Sequence, residues 1–190
     1  MSNAARQHRP HESVTLERVF NRCFLDSENT RLIGGASEPL YLPADDNGRE
    51  NRLYYREDYF ASALHEIAHW CIAGRERRGM RDFGYWYEPE GRNSEQQDAF
   101  LAVEARPQAL EWCLSVACDY PFRLSLDNFD PDGYEPMRRT FASRVVAQVQ
   151  RLREQGLPSR AAHFFDALAQ EFETGQLSGS LPPLTAGQLL

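Results

Sequence analysis

The chain is constrained first by residues 58–73, where two histidines four residues apart sit within an otherwise apolar helical stretch. Leu64, Ile67, Ala68 and Cys71 can bury this helix, and they leave His65 and His69 at the edge of its buried face. Asp58 is positioned to cap its start and Gly74 its end. Residues at i and i+4 share one helical face, so both imidazoles can reach a single metal ion. Glu66, inside the string His65-Glu66-Ile67-Ala68-His69, points in an adjacent direction and can approach a metal-bound water. A core must therefore form around a central helix whose edge is reserved for chemistry.

The rest of the chain supplies that core. Leu16, Val19, Phe20, Cys23 and Phe24 recur at helical spacing, which predicts a first helix over residues 13–25. Short apolar runs at 30–43, broken by Gly34, Gly35 and Pro39, read as extended, and residues 52–56 as a further short strand. After a cluster of arginines, residues 82–88 have the aromatic content of a strand. Ser94 and Gln97 form a capping-box pattern ahead of a helix over 95–118, which Pro107 is expected to kink or divide. Two more helices are expected over 136–155 and 159–174. The fold class is α+β, a helix-dominated single domain with a small mixed sheet. It spans residues 13–174, between a disordered tail at 1–12 and a flexible tail at 175–190.

Composition narrows the function classes. With 190 residues, 42% of them apolar, the chain can bury a sizeable core. A net charge of -7 argues against a partner recognised by broad phosphate neutralisation, so no direct nucleic-acid binding is expected. No apolar run is long enough to span a bilayer, and residues 1–10 lack the apolar core of a signal peptide. A cytoplasmic location without membrane attachment is the resulting expectation. Cys23, Cys71, Cys113 and Cys118 lack paired spacing and read as buried thiols. Arg75, Arg77, Arg78 and Arg81 follow the histidine helix and read as a solvated helix end, or more sharply as a docking patch for an acidic protein.

Two histidines alone make a weak site, so a third ligand should come from another element. Glu104 is the choice: its turn, with Phe100, Leu101 and Val103, is largely apolar, and a metal would remove the cost of burying a carboxylate there. Glu111, two turns on, is its rival, or else a solvent-facing glutamate. Two histidines and a carboxylate leave coordination positions open. With zinc such a set drives hydrolysis, as in a metallopeptidase or metal-dependent ribonuclease; with ferrous iron it is the facial triad of dioxygen-using enzymes. Ligand type does not separate the two.

Five segments in order, TRLIGGASEPLYLPAD, HEIAHWCIAGRERR, DFGYWYEPEGR, VEARPQALEW and DYPFRLSLDN, resemble the bacterial elongation factor P hydroxylase family. The likeness covers about residues 14–170. It implies a non-haem Fe(II) monooxygenase that takes dioxygen as co-substrate. Its implied protein substrate is elongation factor P whose lysine already carries a β-lysyl group. It also implies a fold similar to a small metal-dependent ribonuclease or zincin-like fold, with His65, His69 and Glu104 as metal ligands. Glu66, a general base in a hydrolase, would in an oxygenase orient a ligand or water. Asp82, Glu88 and Glu90 are candidates to meet a cationic lysyl chain, and Tyr85, Trp86 and Tyr87 to pack along its stem.

Overall fold

The computed structural model describes residues 10–45, 47–81, 93–126 and 134–189. The elements in order are α1 (Ser13–Glu28), β1 (Thr30–Ala36), β2 (Leu40–Leu42), β3 (Asn51–Arg56), α2 (Phe60–Ile72), α3 (Ser94–Ala117), α4 (Tyr134–Gln155) and α5 (Ser159–Glu171). Single 3-10 turns occupy Arg77–Gly79 and Ala186–Gln188. The protein is thus α+β and helix-dominated, as its patterning indicates. Among the described residues no helix is long and apolar enough to cross a membrane.

The sheet is mixed, in the order β1-β3-β2, with β1 parallel and β2 antiparallel to the central β3. Leu53 pairs with Leu32 on one side and Tyr41 on the other, giving a buried row across the sheet. The two glycines of β1 have separate reasons. Register shifts between Ile33 and Ala36, and Gly35 takes φ 77° within this bulge. Gly34 instead lies against Tyr55: a Cβ there would come within 2.5 Å of the tyrosine hydroxyl oxygen. That hydroxyl donates to Glu17 Oε1 (2.8 Å), which also accepts from the Gly34 N–H (2.9 Å). Gly34→Ala is therefore expected to cost about 1–3 kcal/mol, because the fully buried Tyr55 ring has nowhere to move. A denaturant midpoint equal to that of the wild type would disprove this packing.

Helix α1 runs beyond residue 25 and stops only where Asn29 takes the left-handed conformation (φ 46°), its N–H bonded to the Phe24 carbonyl. Its rings Phe20 and Phe24 meet Trp70 of α2 at 5.0 and 4.8 Å, and Phe20 lies 5.9 Å from Phe164 of α5. This aromatic cluster joins three helices around the histidine-bearing one. Helix α3 packs against α2, α4 and α5.

Several local expectations are corrected. Helix α2 begins at Phe60, and the residue before it, Tyr59, makes no side-chain cap, so Asp58 is not the cap. The capping box of α3 uses Asn93 and Gln96 rather than Ser94 and Gln97. Gln97 is buried and donates instead to the Leu126 carbonyl (2.9 Å). Pro107 does not divide α3: the Val103 carbonyl that loses its partner belongs to a residue 47% exposed, so water can satisfy it. His11 stacks on Phe172 (5.2 Å), meets Phe60 and Tyr120 edge-on, and its Nε2 lies 2.8 Å from the Cys118 carbonyl oxygen. After α5, Leu181, Leu184 and Leu189 are buried. The four cysteines are free and buried, and burial pushes the Cys113 and Cys118 thiols up to about 12, which keeps them protonated and inert.

Candidate metal centre

Helix α2 brings His65 and His69 to one face with their Nε2 atoms 3.1 Å apart. Helix α3 crosses it and delivers Glu104, whose Oε1 lies 3.2 Å from His69 Nε2 and Oε2 3.5 Å from His65 Nε2. One donor atom from each of the three residues falls within 4.8 Å of the others. The donor set fits a divalent cation on an observation internal to the site. Glu104 is 5% exposed and its Oε2 has no hydrogen-bond partner, while two imidazole nitrogens face each other with at most one proton to share when neutral. An orphaned buried acceptor such as Glu104 Oε2 is costly, and a cation shared with the two imidazole nitrogens would satisfy it.

Glu111 is neither solvent-facing nor part of the triad. It is buried, and its Oε2 sits 2.8 Å from His65 Nδ1. This contact fixes the ring and, when the imidazole is neutral, keeps its one proton on Nδ1 and leaves Nε2 as the acceptor facing Glu104 and His69. Burial lowers the proton affinity of His65, but the Glu111 hydrogen bond, aided by the Glu111, Glu104 and Glu66 carboxylates, outweighs it and raises the pKa to about 10. Burial likewise opposes ionisation of Glu104, yet the adjacent histidines and the Gln108 amide hold it below the usual carboxylate range. Burial pushes the Glu66 carboxyl up. Removing the Glu111 carboxylate should weaken metal binding by about 10–100-fold, with Glu111→Gln milder than Glu111→Ala because an amide oxygen still accepts from Nδ1. Titration with a metal-sensitive dye reads this directly, and unchanged affinity in Glu111→Ala would remove Glu111 from the site.

The residues of α3 that matter share one stripe: Gln97, Glu104, Gln108 and Glu111 are all buried. Gln108 grips Ser125 at two points, donating to its carbonyl (2.8 Å) and accepting from its N–H (3.1 Å). The sequence pattern marks the two glutamates as ligand candidates, reads Gln97 as a capping residue and leaves Gln108 unremarked until burial is known.

The far end of α2 is held by residues that no motif announces. Arg160 of α5 lies over the Trp70 ring (4.8 Å) and donates to the carbonyls of Trp70, Cys71 and Ala73. Arg78, expected in a solvated cluster, is partly buried and paired with Glu28 (Nη1–Oε2 2.6 Å). Next to the triad is a narrow cavity of about 40 Å³, lined by Glu66 and His69 together with Tyr41, Leu53, Trp70 and Arg78. Asp82, Tyr85, Trp86, Tyr87, Glu88 and Glu90 lie outside the described residues.

Comparison with known proteins supplies the missing context for this centre. A family model for elongation factor P hydroxylase matches residues 19–180. A Haemophilus influenzae protein described as elongation factor P lysine hydroxylase is 45% identical over 166 residues, which cover 86% of this chain and 91% of that protein. A match that takes in α2, α3 and the segments packed on them shows that the chain belongs to the elongation factor P hydroxylase family.

Proposed function

We propose that this protein hydroxylates a lysine side chain of elongation factor P, in its β-lysylated form. The reaction would use dioxygen and ferrous iron held by His65, His69 and Glu104. The observation that carries the reading is the convergence of two imidazole nitrogens and an orphaned carboxylate oxygen in a chain of this family. Ferrous iron in a site of two histidines and one carboxylate supplies dioxygen activation, with coordination positions left for the co-substrate.

The chain's own residues prepare that site. Glu111 holds the proton at His65 Nδ1, so Nε2 stays available as a donor. Glu104 brings the single negative charge of the triad, from a carboxylate that is almost wholly buried. Glu66 acts at the edge of the triad, as a group that orients what enters the adjoining cavity. Family membership favours this reading over zinc-dependent hydrolysis, which also uses a His-Glu-x-x-His helix. We read the small sheet beside that helix as a variant of the zincin-like or small metal-dependent ribonuclease fold. A translation factor as substrate places the enzyme in the cytoplasm.

The test is the intact mass of β-lysylated elongation factor P after aerobic incubation with the iron-reconstituted protein. A gain of about 16 Da is expected with the wild type and none with His65→Ala. No gain with iron verified in the wild-type site would overturn the assignment. A gain on the unmodified factor as large as on the β-lysylated one would overturn its substrate form.

A further inference from the structure

Helix α3 commits two buried glutamines to one irregular segment. Gln97 is 2% exposed and Gln108 1%, and along the stripe they stand on either side of Glu104. Gln97 Nε2 donates to the Leu126 carbonyl (2.9 Å). Gln108 takes both peptide groups of Ser125: its Oε1 accepts from the N–H (3.1 Å) and its Nε2 donates to the carbonyl (2.8 Å). Phe122, in the same segment, stacks on Trp112 of α3 (5.5 Å). The segment therefore runs back along α3, and its Ser125–Leu126 link is tied down on both sides of Glu104.

The clamp on Ser125 fixes the glutamine more than the loop. Ser125 is exposed, so water would serve its peptide groups in the absence of Gln108. The Gln108 amide, by contrast, has one acceptable orientation. Turned over, it would set its NH2 against the Ser125 N–H and its oxygen against the carbonyl. In the orientation that remains, one Nε2 hydrogen is used and the second is left for another acceptor. Glu104 stands four residues back, where side chains of one helix meet, and the Gln108 amide helps to hold its carboxyl below the usual range. A carboxylate that gives an oxygen to a cation keeps further lone pairs, and a fixed donor beside it sets how it binds.

We propose that Gln108 is a positioning residue of the metal centre: anchored by Ser125, its amide fixes the orientation in which the Glu104 carboxylate meets an ion shared with His65 and His69. The inference rests on reading those three residues as the metal ligands. Gln108 then does for Glu104 what Glu111 does for His65, so α3 supplies one ligand and the orienting partners of two.

The test loads the metal-free protein with Co(II), whose visible absorption bands report the donor geometry around the ion. Gln108→Met keeps the length of the side chain and removes the amide. It is expected to bind Co(II) about 10–100-fold more weakly than the wild type and, at saturation, to show altered bands because Glu104 is free to turn. Gln108→Glu has the same shape, keeps an acceptor for the Ser125 N–H and loses the donor. It is expected to alter the bands as well, and it carries the test if the methionine variant does not fold. Gln97→Met frees the Leu126 end of the segment without touching Glu104, and wild-type bands are expected from it. A folded Gln108 variant that gives wild-type bands at saturation overturns the proposal, whatever its affinity. So does a Gln97→Met protein whose bands change as those of Gln108→Met do, since the segment as a whole would then be responsible. Wild-type protein that binds no Co(II) defeats the three-ligand reading and this inference with it. Wild-type binding that is lost in Glu104→Ala and keeps its bands in the Gln108 variants upholds the ligands and defeats the inference alone.

Discussion

Replacing Glu104 by alanine is expected to abolish stoichiometric metal binding and to reduce oxygen transfer by more than about 100-fold. Glu111 acts through His65, and groups at that remove change metal affinity by about 10–100-fold. Glu104 offers its own oxygens within 3.2 Å of His69 Nε2 and 3.5 Å of His65 Nε2, so its loss removes a donor and the only charge of the triad. The metal-free protein should respond differently. Glu104 Oε2 is buried and unpartnered there, so alanine removes an unsatisfied group as well as a favourable contact with the histidines, and the two effects largely offset. Added metal should therefore raise the melting temperature of the wild type and leave that of Glu104→Ala unmoved, since only the folded wild type binds it. Glu104→Gln, which keeps the shape and drops the charge, should fall between the two. A Glu104→Ala protein that keeps one metal per chain and still adds oxygen would require a different third ligand.

The sequence carried the elements whose signals are local. Helices were expected where α1, α2, α4 and α5 form and extended chain where β1 forms, but nothing in its glycines announced the bulge. His65 and His69 were legible because i and i+4 share a helical face whatever surrounds them. Glu104 required more than the chain alone, because Glu111 sits on the same stripe and the two differ only in where α3 crosses α2. Capping shows the same limit. Asn93 with Gln96 and Ser94 with Gln97 both satisfy the spacing, and burial of Gln97 against Leu126 decides between them. Leu181, Leu184 and Leu189 follow no regular period and are separated by prolines and small residues, so nothing local announces that they pack. Arg78 was misplaced in a solvated cluster because its partners, Glu28 and Trp70, are brought to it only by the fold.

Arg160 is the clearest case of a long-range contribution, and its removal should be strongly destabilising. The last carbonyls of a helix have no intrahelical partners. At the end of α2 one guanidinium nitrogen, Arg160 Nη2, fills that role, lying within hydrogen-bond reach of the carbonyl oxygens of Trp70 (3.0 Å), Cys71 (3.1 Å) and Ala73 (2.6 Å) and sharing its two hydrogens among them. It also lies 4.8 Å from the centre of the Trp70 ring and places a positive charge at the negative end of the helix dipole. Water can recover part of these interactions in Arg160→Ala, so the net loss is about 2–4 kcal/mol rather than the sum of the parts. For a chain of this size that is a fall of roughly 5–15 °C in melting temperature. Arg160→Lys should recover less than half of it, because an ammonium has no plane to lay over the Trp70 ring while its nitrogen reaches the carbonyls. His69 lies in the last turn of α2, so the fraying that follows should also weaken metal binding, although Arg160 is not among the triad's contacts. Parallel melting curves with and without metal measure both effects. An Arg160→Ala protein that melts with the wild type would mean that α2 is held by its aromatic packing alone, through Phe20, Phe24 and Trp70.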